Sequence, residues 1–217
     1  MDAGRPRNKT WKLTKFTIRR VLYPYFRVRV IGAEHLDIER AVIVAPTHRS
    51  NLDSPLLGAA ATRRIRALSK ESLFSAKPFA WYLSRLGAFP VKRGTADRES
   101  MRVARELLEL DEPLLVFPEG TRQTGNQVAE MFDGTAYLAA KSHAPVIPVG
   151  IAGTEGAMPP GTRFPRRSTV TIVIGPEIPV PGDGGRVPRS ELKRFTDAIQ
   201  AGMQAAMDAA VADAAAR

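Results

Sequence analysis

Ala41-Val42-Ile43-Val44-Ala45-Pro46-Thr47-His48-Arg49-Ser50-Asn51-Leu52-Asp53-Ser54-Pro55 is the stretch that decides how this chain is read. Residues 41–45 are an unbroken apolar run of strand length, the pattern of a strand covered on both faces. Pro55 has its φ preset for a first helical turn and lacks a donor that such a turn leaves unpaired, and Ser54 can cap the same turn. A helix over residues 55–62 follows, so strand, polar turn and helix succeed one another as they do in an α/β sheet. Working outward, apolar runs predict strands over 26–31, 114–117, 146–151 and 169–174, with a short one ending near Val91. Helical spacing predicts helices over 77–86, 96–110, 134–141 and 190–216, the last capped by Ser190 with Leu192, Phe195, Ile199, Met203, Ala206 and Ala210 on one face. Residues 159–167 and 179–188 are rich in Pro and Gly and predict loops. The fold class expected is a single-domain mixed α/β sheet flanked by helices.

The 217 residues, 44% of them hydrophobic, suffice for one domain with a sizeable core. Absence of cysteine excludes disulfides, thiolate metal sites and cysteine nucleophiles, and fits a reducing compartment. With 32 Lys and Arg against 22 Asp and Glu, the net charge of +10 points to anionic partners: nucleic acid, anionic lipid, a phosphorylated substrate or an acidic carrier protein. The first eight residues have neither the apolar core nor the cleavage site of a secretory signal, so a cytoplasmic protein is expected. The best candidate for a membrane span, residues 72–91, is interrupted by Lys77, Pro78 and Arg85, so any membrane contact is expected to be peripheral.

Chemistry gathers at the ends of the predicted strands. Residues five apart on a regular helix diverge by about 140°, so only a turn can bring His48 to Asp53. A carboxylate there can accept the Nδ1 proton of His48, fix its tautomer and leave Nε2 to take a proton from a hydroxyl. His35 and His143 have no carboxylate at that offset and read as structural. A second block, Phe117-Pro118-Glu119-Gly120-Thr121-Arg122, ends a buried strand with a carboxylate, a hydroxyl and a guanidinium where open α/β sheets bind ligands. Arg122 can clamp a phosphate there, and Glu119 can receive a hydroxyl or hold Arg122 in place. A third, Gly87-Ala88-Phe89-Pro90-Val91-Lys92-Arg93-Gly94, delivers Lys92 and Arg93 as two adjacent cations suited to a phosphate dianion. Taken singly, each block also fits an ordinary solvated turn.

Together with Val146-Ile147-Pro148-Val149-Gly150-Ile151, these blocks resemble the glycerolipid acyltransferase family typified by bacterial 1-acylglycerol-3-phosphate acyltransferases, in content and in order, over about residues 26 to 180. The resemblance implies that His48 is the general base and Asp53 its partner. It also implies that Arg93 and Arg122 hold the acceptor phosphate, with Lys92 and Thr121 as further substrate-binding candidates, that Glu119 and Gly120 shape the acceptor pocket, and that Pro148 and Val149 line the acyl side. It implies acyl-CoA or acyl carrier protein as donor, lysophosphatidate or another glycerol-phosphate as acceptor, and a place on the cytoplasmic face of the cell membrane. No metal and no bound cofactor are expected, since a thiolate is already a good leaving group.

Residues 1–25 are expected to form a membrane-association segment ahead of an acyltransferase domain over 26–217. Between Lys9 and Phe26 the apolar Trp11, Leu13, Phe16, Ile18, Val21, Leu22 and Tyr25 alternate with a basic edge of Lys12, Lys15 and Arg19, and Pro24 should end or kink the helix. That pattern suits a helix lying on lipid, and equally an N-terminal helix packed on its own domain. Two further readings are weaker. A basic RNA-binding module would need a nucleic-acid motif, and a serine hydrolase would need a Gly-x-Ser-x-Gly elbow; the sequence has neither, and no nucleic-acid partner is expected.

Overall fold

The computed structural model describes residues 8–37, 39–91, 98–159, 161–162, 164–182 and 187–217. Its centre is a seven-stranded sheet of β1 (Arg29–Ile31), β2 (Ile43–Pro46), β3 (Arg66–Lys70), β4 (Ala88–Val91), β5 (Leu114–Leu115), β6 (Val146–Ala152) and β7 (Thr171–Ile174), in the order β1-β7-β6-β2-β5-β3-β4. All neighbours are parallel except β6 and β7, so the sheet is mixed. The helices are α1 (Lys9–Thr17), α2 (Tyr23–Tyr25), α3 (Asp53–Ala60), α4 (Lys77–Leu86), α5 (Arg98–Glu109), α6 (Gly134–Ser142), α7 (Thr154–Ala157) and α8 (Arg189–Ala215).

Alternation along the central strands builds the two faces. Val44, Ile147, Val149 and Ile151 pack with Leu56 and Leu57 of α3 and with Phe26. Ile43, Ala45 and Val146 pack against Leu108, Leu138, Phe195, Ile199 and Met203, from α5, α6 and α8. Period-two side chains thus feed helices on both sides, which is why β2 and β6 read as continuous apolar runs. Strand β3, Arg-Ala-Leu-Ser-Lys, escapes the sequence reading because it lacks such a run. It is held by main-chain pairing to β4 and β5 on either side.

Helix α8 buries the expected stripe, with Phe195, Ile199, Met203, Ala206 and Ala210 all in the core. It begins at Arg189 behind Pro188, and no side chain caps it, so Ser190 does not serve as the predicted cap. Its far end is tied down: Asp213 pairs with Arg29 of β1 at 2.9 Å and accepts from Thr171 Oγ1 of β7 at 2.8 Å.

Near the N-terminus the helix does not stop before Pro24. Residues Ile18–Leu22 wind as a π-helical turn, in which the Tyr23 N–H reaches back to the Ile18 carbonyl. The wider turn relieves the clash a proline ring makes in a regular helix and lets α2 continue. The segment packs on the domain through Ile18, Leu22 and Tyr23, whose hydroxyl donates to the Leu56 carbonyl at 2.9 Å. Lys15, expected on a solvated edge, turns inward to the Ala61 carbonyl; burial, then the charge of Arg19, holds its pKa below the usual lysine value. Lys12 and Arg19 of that edge stay exposed, and so do apolar side chains beside them, with Leu13 67% and Phe16 59% exposed.

Gly150 of β6 is the point of closest approach to α8. A Cβ there would lie 2.2 Å from the Ala206 carbonyl carbon and from the Met207 nitrogen. Main chain cannot yield as a side chain can, so Gly150→Ala should lower the unfolding free energy by about 3 kcal/mol or more. Urea unfolding monitored by circular dichroism checks this.

Candidate active site

Three chain segments converge at the carboxyl ends of β2, β5 and β6. After β2, residues 47–50 are buried although polar, so each of their groups must be satisfied within the protein. Asp53 does most of this. Its carboxylate has no exposed surface; Oδ2 accepts the N–H of Arg49 and of Ser50, each at 2.7 Å, and faces His48 Nδ1 at 2.9 Å. Oδ1 accepts the hydroxyl of Thr154 at 2.6 Å. The turn predicted to join His48 to Asp53 is present, with Asp53 as the first residue of α3 and not ahead of it.

Because a carboxylate can only accept, Nδ1 of His48 donates, and Nε2 is left with a free lone pair. The ring stacks on Phe117 with centroids 3.8 Å apart and planes at 22°. His48 retains 7% of its surface, and among the described residues Nε2 has no hydrogen-bond partner. An imidazole so held can take a proton from a hydroxyl that approaches Nε2.

Glu119 has a different role from the two expected of it. Its Oε1 accepts from Arg49 at 3.0 Å and from the Ala129 N–H at 3.1 Å; its Oε2 accepts from Arg49 at 2.9 Å and from the His48 N–H at 2.8 Å. Buried and served by four contacts, it neither holds Arg122 nor offers itself to a substrate hydroxyl. Arg49 spends its other nitrogens on the carbonyls of Gly125 at 2.7 Å and Gln127 at 2.9 Å, while the Gln123 N–H donates to the His48 carbonyl at 2.8 Å. The Arg49–Glu119 pair therefore bolts the loop after β5 to the turn after β2. Removing one partner of a buried ion pair of this kind costs about 3–5 kcal/mol.

Gly120, Thr121 and Arg122 lie exposed at the tip of that loop, Gly120 with φ +70° and Thr121 bonded to Gln123. Lys92 and Arg93 lie outside the described residues. Pro148 and Val149 are buried on opposite faces of the sheet: Val149 in the core beneath α3, and Pro148 with its ring against Gly175 and Gly202. Neither has the open surface that an acyl-lining role asks for; they pack the sheet.

Two residues that matter here went unread in the sequence. Arg49 looked like part of a polar turn, and nothing local announces a partner seventy residues away. Thr154 follows Gly153, whose φ of +86° and lack of a Cβ let the chain pass against the Thr169 carbonyl. A threonine behind a glycine at a strand's end was the available signal.

The family profile described as Acyltransferase matches residues 27–152, more than half of the chain and all three converging segments up to the end of β6. The chain belongs to the acyltransferase family. A 1-acyl-sn-glycerol-3-phosphate acyltransferase of Chlamydomonas reinhardtii is 32% identical over 162 residues, which cover 72% of this chain and 48% of the relative. The enzyme of that name from Bacillus subtilis is 26% identical over 149 residues, 68% of this chain and 72% of the relative. The chain thus spans about half the length of the algal relative. The crystal structure of the 1-acyl-sn-glycerophosphate acyltransferase PlsC from Thermotoga maritima superposes with a TM-score of 0.73 at 25% identity, over 90% of this chain and 78% of that one. Of the four motif blocks read in the sequence, those around His48 and Glu119 fall on the buried turn and the loop bolted to it.

Thr154→Val keeps the shape of residue 154 but removes a hydrogen bond to a buried charged group. It should cost about 1.5–3 kcal/mol of stability, with Thr154→Ser keeping most of it. Denaturant unfolding of both variants measures the difference.

Proposed function

We propose that this protein transfers a fatty acyl group from a thioester donor to the free hydroxyl of 1-acylglycerol 3-phosphate, giving phosphatidic acid. The observation that carries the reading is the imidazole oriented by a buried carboxylate, with Nε2 free, in a chain whose relatives bear that activity in their names. In the mechanism inferred, Nε2 of His48 removes the hydroxyl proton as the oxygen attacks the thioester carbonyl. The new C–O bond gives a tetrahedral oxyanion. It collapses with cleavage of the C–S bond, the thiolate departs, and the proton on Nε2 passes to it or to water. Asp53 keeps the ring in the donating-Nδ1 tautomer throughout. No metal is called for, because the leaving group needs no Lewis acid.

Arg122, exposed at the loop tip, is the described cation best placed to hold the acceptor phosphate, with Lys92 and Arg93 as further candidates. The donor is coenzyme A or acyl carrier protein, both anionic and both suited to a chain of net charge +10. We place the protein peripherally on the cytoplasmic face of the membrane. Among the described residues no helix is long and apolar enough to cross a membrane. Leu13 and Phe16 of α1 stand exposed, as do Phe79 and Trp81 of α4, and the two helices are joined by the Thr14–Tyr82 hydroxyl pair at 3.0 Å. Exposed apolar side chains on adjoining helices suit the interfacial zone of a bilayer.

An acceptor panel with palmitoyl-CoA, followed by mass spectrometry, tests the reaction: phosphatidic acid should form from lysophosphatidate faster than any product forms from glycerol 3-phosphate or uncharged lysolipids. His48→Ala should lower kcat by about 10²–10⁴-fold in protein whose circular dichroism shows it still folded; wild-type turnover in that variant would remove the base from the scheme. Arg122→Ala should raise the acceptor KM with little effect on kcat, which steady-state kinetics at saturating donor resolves.

A further inference from the structure

A cleft of about 230 Å³ lies away from His48, between the end of the N-terminal helical segment and the loop entering β7. Tyr25, Arg27, Arg167, Ser168 and Thr169 line it. It opens at the same end of the sheet as the candidate active site. Strands β1 and β7 are parallel, β7 is antiparallel to β6, and β6 is parallel to β2, so the chain entering β1 and β7 lies beside the chain leaving β6 and β2. Ser168 joins the two regions directly, its hydroxyl donating at 2.9 Å to the carbonyl of Gly153, the neighbour of Thr154.

The cleft is built from pinned parts. Tyr25 donates to the Pro165 carbonyl at 3.3 Å, and the Arg167 guanidinium stands 6.0 Å from the Tyr25 ring centroid. Arg27 has φ +46°, the conformation in which a chain leaves a helix at least strain with glycine, yet an arginine occupies it. Among the described residues neither Arg27 nor Arg167 has a carboxylate partner. The acid of this corner, Asp213, is already engaged by Arg29 at 2.9 Å, by Arg217 at 3.7 Å and by Thr171. Arg217 adds its own charge, donating to the Arg27 carbonyl at 2.8 Å.

The size and the rim select the ligand. The volume falls short of the roughly 300–1,000 Å³ of sites that enclose a whole small molecule, but two guanidinium groups and a hydroxyl suit a phosphate diester or monoester. Phe164, 82% exposed next to Pro165, and the half-exposed Tyr25 give the rim the aromatic character of a bilayer interface. We propose that this cleft seats the phosphate of an anionic phospholipid in the membrane leaflet, with Phe164 entering the interface beside it. The lipid then holds the His48 end of the sheet toward the bilayer. The proposal rests on the peripheral-membrane reading above and adds to it a defined headgroup site separate from the apolar face of α1.

Vesicle co-sedimentation at low salt tests it, using phosphatidylcholine alone and phosphatidylcholine mixed with phosphatidic acid. Arg27→Gly with Arg167→Gln is the informative variant, because glycine is the less strained residue at position 27 and the thermal midpoint should not fall. Its affinity for the anionic vesicles should drop about tenfold or more, at about fivefold per basic group near such a surface, while its affinity for neutral vesicles stays that of the parent. Leu13→Asp with Phe16→Asp should weaken binding to both vesicle types. A parent that binds no vesicle removes the peripheral reading and the cleft's role together. A parent that prefers anionic vesicles, matched by the arginine variant, overturns the headgroup site alone. Displacement from anionic vesicles by glycerol 3-phosphate as effectively as by short-chain phosphatidic acid, at constant ionic strength, would make the ligand a soluble phosphate and also overturn it.

Discussion

Asp53 has no access to solvent and no cation bonded to it, so its negative charge survives inside the protein only while hydrogen-bond donors surround it. Those donors are the Arg49 and Ser50 N–H groups, the Thr154 hydroxyl and the His48 ring. They come from the turn after β2 and from the first residue of α7, about a hundred residues away just beyond β6. Satisfying one carboxylate therefore fixes the relation of β2 to β6 at the place where chemistry is proposed. The orientation of His48 follows from that arrangement, as does the free lone pair on Nε2.

A second buried acid holds the same histidine from the other side. Glu119 accepts the His48 N–H and grips Arg49, whose remaining donors hold two carbonyls of the loop after β5. Asp53 thus governs the ring and Glu119 the backbone that carries it. The stack of His48 on Phe117 closes the frame. Such doubled support limits ring motion to small excursions, which suits a base that must meet a hydroxyl in one geometry.

How much of this the sequence announces depends on how local the cause is. β2, β6 and α8 were legible because burial on one or both faces writes a periodic apolar pattern, as in Val146–Ala152. The His48 and Asp53 pairing was legible because both ends of the turn carry their own markers. β3 was not, since its Arg-Ala-Leu-Ser-Lys is made a strand by its neighbours. Neither was Glu119's engagement with Arg49, because the charge of Arg122 three residues on offered a nearer partner and only tertiary packing buries one and exposes the other. Pro148 misled for a related reason: a motif fixes identity, whereas the face on which a strand residue lies depends on where α8 comes to rest.

The widened turn between Ile18 and Leu22 also has a phasing effect. Five positions of ordinary α-winding would set Val21 about 140° away from Phe16, whereas the looser coil brings the two nearer to a common stripe with Leu13. All three are exposed. The wider turn absorbs one residue beyond regular winding, so deleting one residue from it would restore an α-helix and keep Leu13, Phe16 and Val21 close to one stripe, at successive spacings of three and four. Regular winding through the full sequence would instead carry Leu13 and Phe16 out of line with Val21, and Lys15 away from its berth beside Ala61. The length of one helical turn, and not only the identity of its side chains, therefore sets which face this segment shows to its surroundings.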